Sequence, residues 1–177
     1  YDSVAGVVLL NSAGPFSQVE NKIQPDPNPL KKLLENAVKW CFKKRLVQSL
    51  LFEYTRQKWV IRQTLEKVYL DKNAVTDQLV AEIQRPAYDP GALDVFISFF
   101  STPQGEKVDV LLKQLNCPLL LLWGEADPWM KARERSLKFH EYYPELTEYF
   151  LIAGHCPHDE IPEQVNLHLR NWVMSLN

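Results

Sequence analysis

Glycine is scarce in this chain. The six among 177 residues stand at positions 6, 14, 91, 105, 124 and 154, too scattered for a phosphate-cradling loop, and none belongs to a Gly-x-Ser-x-Gly turn. The strand-turn-helix elbow that presents a nucleophilic serine is therefore absent, and without it these residues alone form no covalent acyl intermediate. Ser12, Ser98 and Ser101 do not fit that geometry. Cysteine is scarce as well. Cys41, Cys117 and Cys156 are odd in number and lack Cys-x-x-Cys spacing, which argues against a disulfide framework or a structural zinc site and suits a reducing compartment. No strictly apolar run exceeds about five residues, against the roughly 20 needed to cross a bilayer. There is no internal repeat and no low-complexity segment.

What remains has the composition of an ordinary globular chain, 46% hydrophobic with a net charge of −2, enough for one core. The charge is unevenly placed. Leu30 to Lys67 holds ten Lys/Arg against three Glu, and the excess is interleaved with aromatics: Lys31, Lys32, Lys39, Trp40, Lys43, Lys44, Arg45, Arg56, Lys58, Trp59 and Arg62. A solvated helical face is the plain reading. Peripheral contact with an anionic membrane is the sharper one. Nucleic-acid binding is not expected, because no recognition motif accompanies the charge.

Along the chain, Gly6 to Leu10 reads as a strand apolar on both faces, the kind found in parallel sheets covered by helices. A parallel strand so near the first residue, with no crossover before it, leads us to expect that its neighbours come from preceding sequence and that the chain is the latter part of a larger protein. Its few strands would otherwise leave an unpaired edge, so that missing half is an expected partner. Prolines 15, 25, 27 and 29 mark an exit loop. From Leu30 to Leu70 apolar residues recur at helical spacing, beginning with Leu33, Leu34, Ala37, Val38, Cys41 and Phe42. Further helices are predicted over Gln78 to Gln84, capped by Thr76 or Asp77, over Ala92 to Phe100 and over Val108 to Leu115. Then come a strand Leu119 to Trp123, a helix Trp129 to Tyr142, a strand Glu148 to Ile152 and a closing helix Glu163 to Leu176, whose Val165, Leu169, Trp172, Val173 and Leu176 form one stripe. The pattern is α/β, with a core strand in residues 1–15, a helical insertion in 16–104 and the rest of the core in 105–177.

Two strand ends carry the candidate chemistry. Asp127 follows PLLLLWGEA, where it is placed either to cap the next helix with Pro128 at its first position or to act as an acid that orients a histidine. His155 follows the next strand and Gly154, which permits a sharp turn; a lone histidine is more often an ordinary packed residue. Acid and histidine leaving successive strands, in that chain order, match the delivery of the second and third members of an α/β-hydrolase triad. Asn11 and Ser12 also sit at a strand end, but neither is a carboxylate. His158 is expected to be structural, as a supporting group or the cap of the last helix. His155, Cys156, His158, Asp159 and Glu160 have metal-ligand chemistry, but Pro157 and the short loop give no zinc spacing, so neither metal nor cofactor is expected.

At PLLLLWGEADPW and AGHCPHDEIPEQVN the sequence resembles the plant and cyanobacterial α/β hydrolases grouped around pheophytinase and chlorophyll dephytylase, and the resemblance extends back to VVLLNSAG. It implies the C-terminal portion of an α/β-hydrolase fold with an all-helical lid. It further implies a serine hydrolase that cleaves a hydrophobic ester, such as the phytyl ester of a chlorophyll-type pigment, in the stroma or at the thylakoid surface of a chloroplast, or in the cytoplasm or at the thylakoid surface of a cyanobacterium. Asp127 would be the acid and His155 the base. The alternatives are a non-catalytic pigment- or membrane-binding relative, or a dehalogenase or epoxide hydrolase if the upstream nucleophile is Asp.

Overall fold

Five consecutive large apolar residues before a glycine can be buried only where both sides of a strand are covered, and the chain meets that demand. The structure, a computed structural model, describes residues 4–17, 40, 44–103 and 105–176. Leu119–Gly124 forms strand β2 of a parallel sheet, between β1 (Val7–Leu10) and β3 (Thr147–Leu151). Val7 pairs with Leu119 and Leu10 with Leu122, while Leu120 pairs with Thr147 and Gly124 with Leu151. Leu119 to Trp123 are each at most 1% exposed, which makes β2 the centre of the core; each such leucine contributes about 1.5–3 kcal/mol of burial.

The pleat divides this strand between two clusters. Leu119, Leu121 and Trp123 pack with Phe16, Leu112, Ala132, Phe139 and Leu146, while Leu120 and Leu122 pack with Leu151, Val165 and Trp172. The same polar group ties the first layer together: Glu148 of β3 accepts hydrogen bonds from Trp123 Nε1 and Ser136 Oγ, both at 3.0 Å, and meets His140 Nε2 at 3.0 Å. Buried Asp109 accepts the Ser17 N–H and Oγ–H, fastening the segment that leaves β1.

The chain forms two compact units, one of Tyr1–Ser17, Thr64–Val75 and Glu106–Asn177, the other of Gln18–Gln63 and Thr76–Gly105. The first holds the sheet. The second is helical, with α1 (Arg45–Thr55), the start of α2 (Lys58–Val68), α3 (Asp77–Gln84) and α4 (Ala92–Ser101). Thr76 Oγ1 caps α3 by accepting from the Leu79 N–H, and Phe52 meets Phe96 with ring centroids 5.3 Å apart. Of the predicted basic face, Arg45 pairs with Asp94, Arg56 with Glu53 and Arg62 with Asp77, so part of its charge is neutralised locally. Lys31, Lys32, Lys39 and Lys43, the apolar Leu33, Leu34, Ala37, Val38, Cys41 and Phe42, and the prolines at 25, 27 and 29 lie outside the described residues.

Three expectations are corrected. The insertion expected over 16–104 is interrupted, because residues 64–75 group with the sheet; Leu65, Val68 and Tyr69 are buried there. The helix after β2, here α6 (Ala132–Tyr142) following α5 (Val108–Gln114), starts at Ala132 rather than Trp129, since the backbone N–H groups of Trp129 and Met130 are taken by Asp127. In the last helix, α8 (Pro162–Ser175), which follows the single turn α7 (Pro157–Glu160), Val173 is 53% exposed. At 3.6 residues per turn it stands about 80° round the axis from Val165, whereas Trp172 stays near that line.

Candidate active site

The ends of β2 and β3 lie side by side because the strands are parallel and adjacent, so both following loops open at the same edge of the sheet. Their backbones continue to pair beyond the strands: the Glu125 N–H donates to the Leu151 carbonyl at 2.9 Å and the Ala126 N–H to the Ala153 carbonyl at 3.0 Å. Two glycines permit this approach. A Cβ on Gly124 would stand 1.9 Å from the Gly154 carbonyl oxygen, and one on Gly154 would stand 2.1 Å from that of Val68.

These loops bring the two predicted residues together. His155 Nδ1 lies 2.6 Å from Asp127 Oδ2. The Asp127 side chain is fully buried and that of His155 is 26% exposed, so the carboxylate is shielded while the imidazole keeps an open side. The other carboxylate oxygen, Oδ1, accepts from the Trp129 N–H at 2.7 Å and the Met130 N–H at 3.0 Å. Asp127 therefore closes a turn and does not cap the helix, whose cap position is Lys131, and its second carboxylate oxygen meets the histidine. An imidazole whose Nδ1–H donates to Asp127 has its second nitrogen, Nε2, as the acceptor. The Trp129 ring lies against His155, centroids 4.8 Å apart.

Contacts that the sequence did not foretell support the histidine loop. The His155 N–H donates to the Val68 carbonyl at 2.8 Å. Glu160 accepts from the N–H groups of Gly154, Leu70 and Asp71 at 2.7, 2.8 and 3.1 Å. Buried Tyr69 donates its hydroxyl to Asp159 Oδ2 at 2.7 Å; burial, then that carboxylate, push the phenol above its ordinary range. His158 sits inside α7 with a half-exposed side chain 3.8 Å from Asp159, and the cap position of α8 is Ile161, so the capping role expected of His158 is not observed. Asn11 enters the site at the end of β1. Its place at a strand end was visible; its contacts were not.

Cys156, next to His155, is not poised as a nucleophile. Burial raises its thiol above the ordinary value, and Asp159, Glu160 and Asp127 add to this, so it stays protonated near neutral pH. Ser98 and Ser101 donate to the helix carbonyls of Val95 and Ile97. Among the described residues no group of three His, Cys, Asp or Glu side chains is placed to hold a metal ion, and no helix is long and apolar enough to cross a membrane.

No family model matches the chain. It is similar to the chloroplastic pheophytinase of Arabidopsis thaliana, 30% identical over 178 aligned residues that cover 98% of this chain and 37% of that protein. An uncharacterized hydrolase of Bacillus subtilis is 26% identical over 114 residues, 64% of this chain and 41% of that protein. Among solved structures, a thermophilic esterase from Thermogutta terrifontis matches with a TM-score of 0.59 at 18% identity, covering 97% of this chain and 56% of that one. That likeness shows a shared fold. The chain spans well under two thirds of the length of these relatives.

Proposed function

We propose that this chain, which belongs to the α/β-hydrolase family, supplies the acid and the base of a serine ester hydrolase whose nucleophile comes from the remainder of the protein. In this reading His155 Nε2 takes the proton of the serine hydroxyl as its oxygen attacks the ester carbonyl. Asp127 fixes the tautomer and stabilises the imidazolium. When the C–O bond to the alcohol breaks, the proton passes from His155 to the departing oxygen, and water then hydrolyses the acyl-enzyme with His155 again as base. The observation that carries this reading is the 2.6 Å contact between His155 Nδ1 and a fully buried Asp127 carboxylate at adjacent strand ends.

For substrate we propose a long apolar ester, such as the phytyl ester of a chlorophyll-type pigment, handled in a chloroplast. The pheophytinase similarity supports this class. So do the exposed apolar side chains of the helical unit, Leu46, Leu50, Val95 and Phe99 among them, which suit a lid for a hydrophobic alcohol.

The test is Asp127→Ala and His155→Ala in the full-length protein, assayed on phytyl and p-nitrophenyl esters. Asp127→Ala should lose about 10⁴-fold and His155→Ala about 10⁶-fold in kcat; undiminished turnover in either sinks the assignment. If the wild type cleaves short esters and leaves phytyl esters intact, the substrate class fails while the esterase reading stands.

A further inference from the structure

We propose that Asn11 is a positioning residue that sets the separation of His155 and Asp127, an inference that rests on reading those two as base and acid. Asn11 is 3% exposed and has a φ of +40°, a conformation that Asn adopts more readily than other residues with a Cβ. Its own N–H continues the ladder to the Leu122 carbonyl at 3.0 Å. Its carboxamide then uses both its donors and one of its two acceptor lone pairs across the site. Oδ1 accepts from the Gly124 N–H at 2.7 Å, and Nδ2 donates to the carbonyls of Gly154 at 2.9 Å and His155 at 3.1 Å.

One planar group therefore joins the end of β1, the last residue of β2 and the backbone of the histidine itself. Gly124 precedes Asp127 by three residues, so the acceptor side fixes the acid loop and the donor side fixes the base loop. The chemistry requires an amide. An Asp of the same size keeps the acceptor but turns a second oxygen toward two carbonyls, and an aliphatic side chain leaves three backbone groups, two of them buried, without this partner.

Two variants of the full-length protein separate positioning from mere accommodation of the turn. Asn11→Gly keeps the left-handed backbone at no steric cost and removes only the bracket. Asn11→Asp keeps the shape and removes the donors. Positioning predicts that both fold, with a cooperative thermal transition. It also predicts a kcat lower by about 10- to 100-fold with KM within about two-fold, and a downfield His155 Nδ1–H proton resonance that moves or broadens. If Asn11→Gly keeps kcat within about two-fold of wild type with that resonance in place, the proposal is overturned and Asn11 serves only the turn. If Asp127→Ala and His155→Ala leave turnover intact, the hydrolase reading fails, and the resonance alone decides: displaced in Asn11→Gly, positioning holds; unmoved, it is lost. Should Asn11→Gly not fold, the same measurements on Asn11→Asp decide in the same way.

Discussion

Replacing Gly124 by Ala places a methyl group where the structure has no room. The new Cβ would lie 1.9 Å from the Gly154 carbonyl oxygen, 2.8 Å from that of Ala153 and 3.0 Å from Asn11 Nδ2, where ordinary contact begins at 3.4 Å. Two of these neighbours are backbone, and neither can swing aside as a long side chain would. Relief requires the histidine loop to retreat from β2 by roughly 1.5 Å, comparable to the misplacement that costs about 100-fold in rate. The Asp127–His155 hydrogen bond, 2.6 Å long, cannot stretch that far and persist. Overpacking usually costs 1–3 kcal/mol, and contacts this short against backbone put Gly124→Ala near about 3 kcal/mol. Urea unfolding at unchanged slope measures the stability, and ester turnover measures the rate. A variant within about 0.5 kcal/mol of wild type with unchanged kcat would refute the claim that Gly124 is required by the approach of the two loops.

Glu160→Ala should lower stability by about 1–3 kcal/mol, because it strips the acceptor from the N–H groups of Gly154, Leu70 and Asp71; equal urea midpoints for variant and wild type would contradict this. Alkaline pH should destabilise the fold through Tyr69 and Cys156. Both hold their protons to higher pH in the folded chain than in the unfolded one, so the folded state binds more protons and stability falls as pH rises. The loss begins near the ordinary thiol value of about 8.5, continues past the phenol value of about 10, and is absent below that window. Cys156→Ala and Tyr69→Phe should each flatten the decline of the urea midpoint above pH 8.5, and a slope shared by wild type and the double variant would count against it.

The core strand was legible because only a doubly covered strand can bury Leu119 to Trp123, and the approach of Asp127 to His155 because each follows a strand in a fold that aligns strand ends. Other features depend on tertiary contacts that leave no local mark. Helical periodicity runs unbroken from Val60 to Tyr69, so nothing in it signals that residues 64–75 return to the sheet unit. The sequence places Asn11 at a strand end and no more; its positive φ and its three partners are set by β2 and the histidine loop. Glu160 stands in the sequence only as one of five potential ligand types in a short loop, whereas in the fold it accepts from three backbone N–H groups. The start of α6 is hidden for a related reason: the Asp127 carboxylate, a residue type that caps well, also holds a non-helical turn.

Asp127→Asn in the full-length protein tests the central claim most directly, since it preserves volume and burial but lets the side chain select the wrong imidazole tautomer. The account predicts a folded protein with nearly unchanged KM and a kcat on phytyl ester reduced by about 10⁴-fold. A kcat within about tenfold of wild type would contradict the assignment of Asp127 and His155 as acid and base.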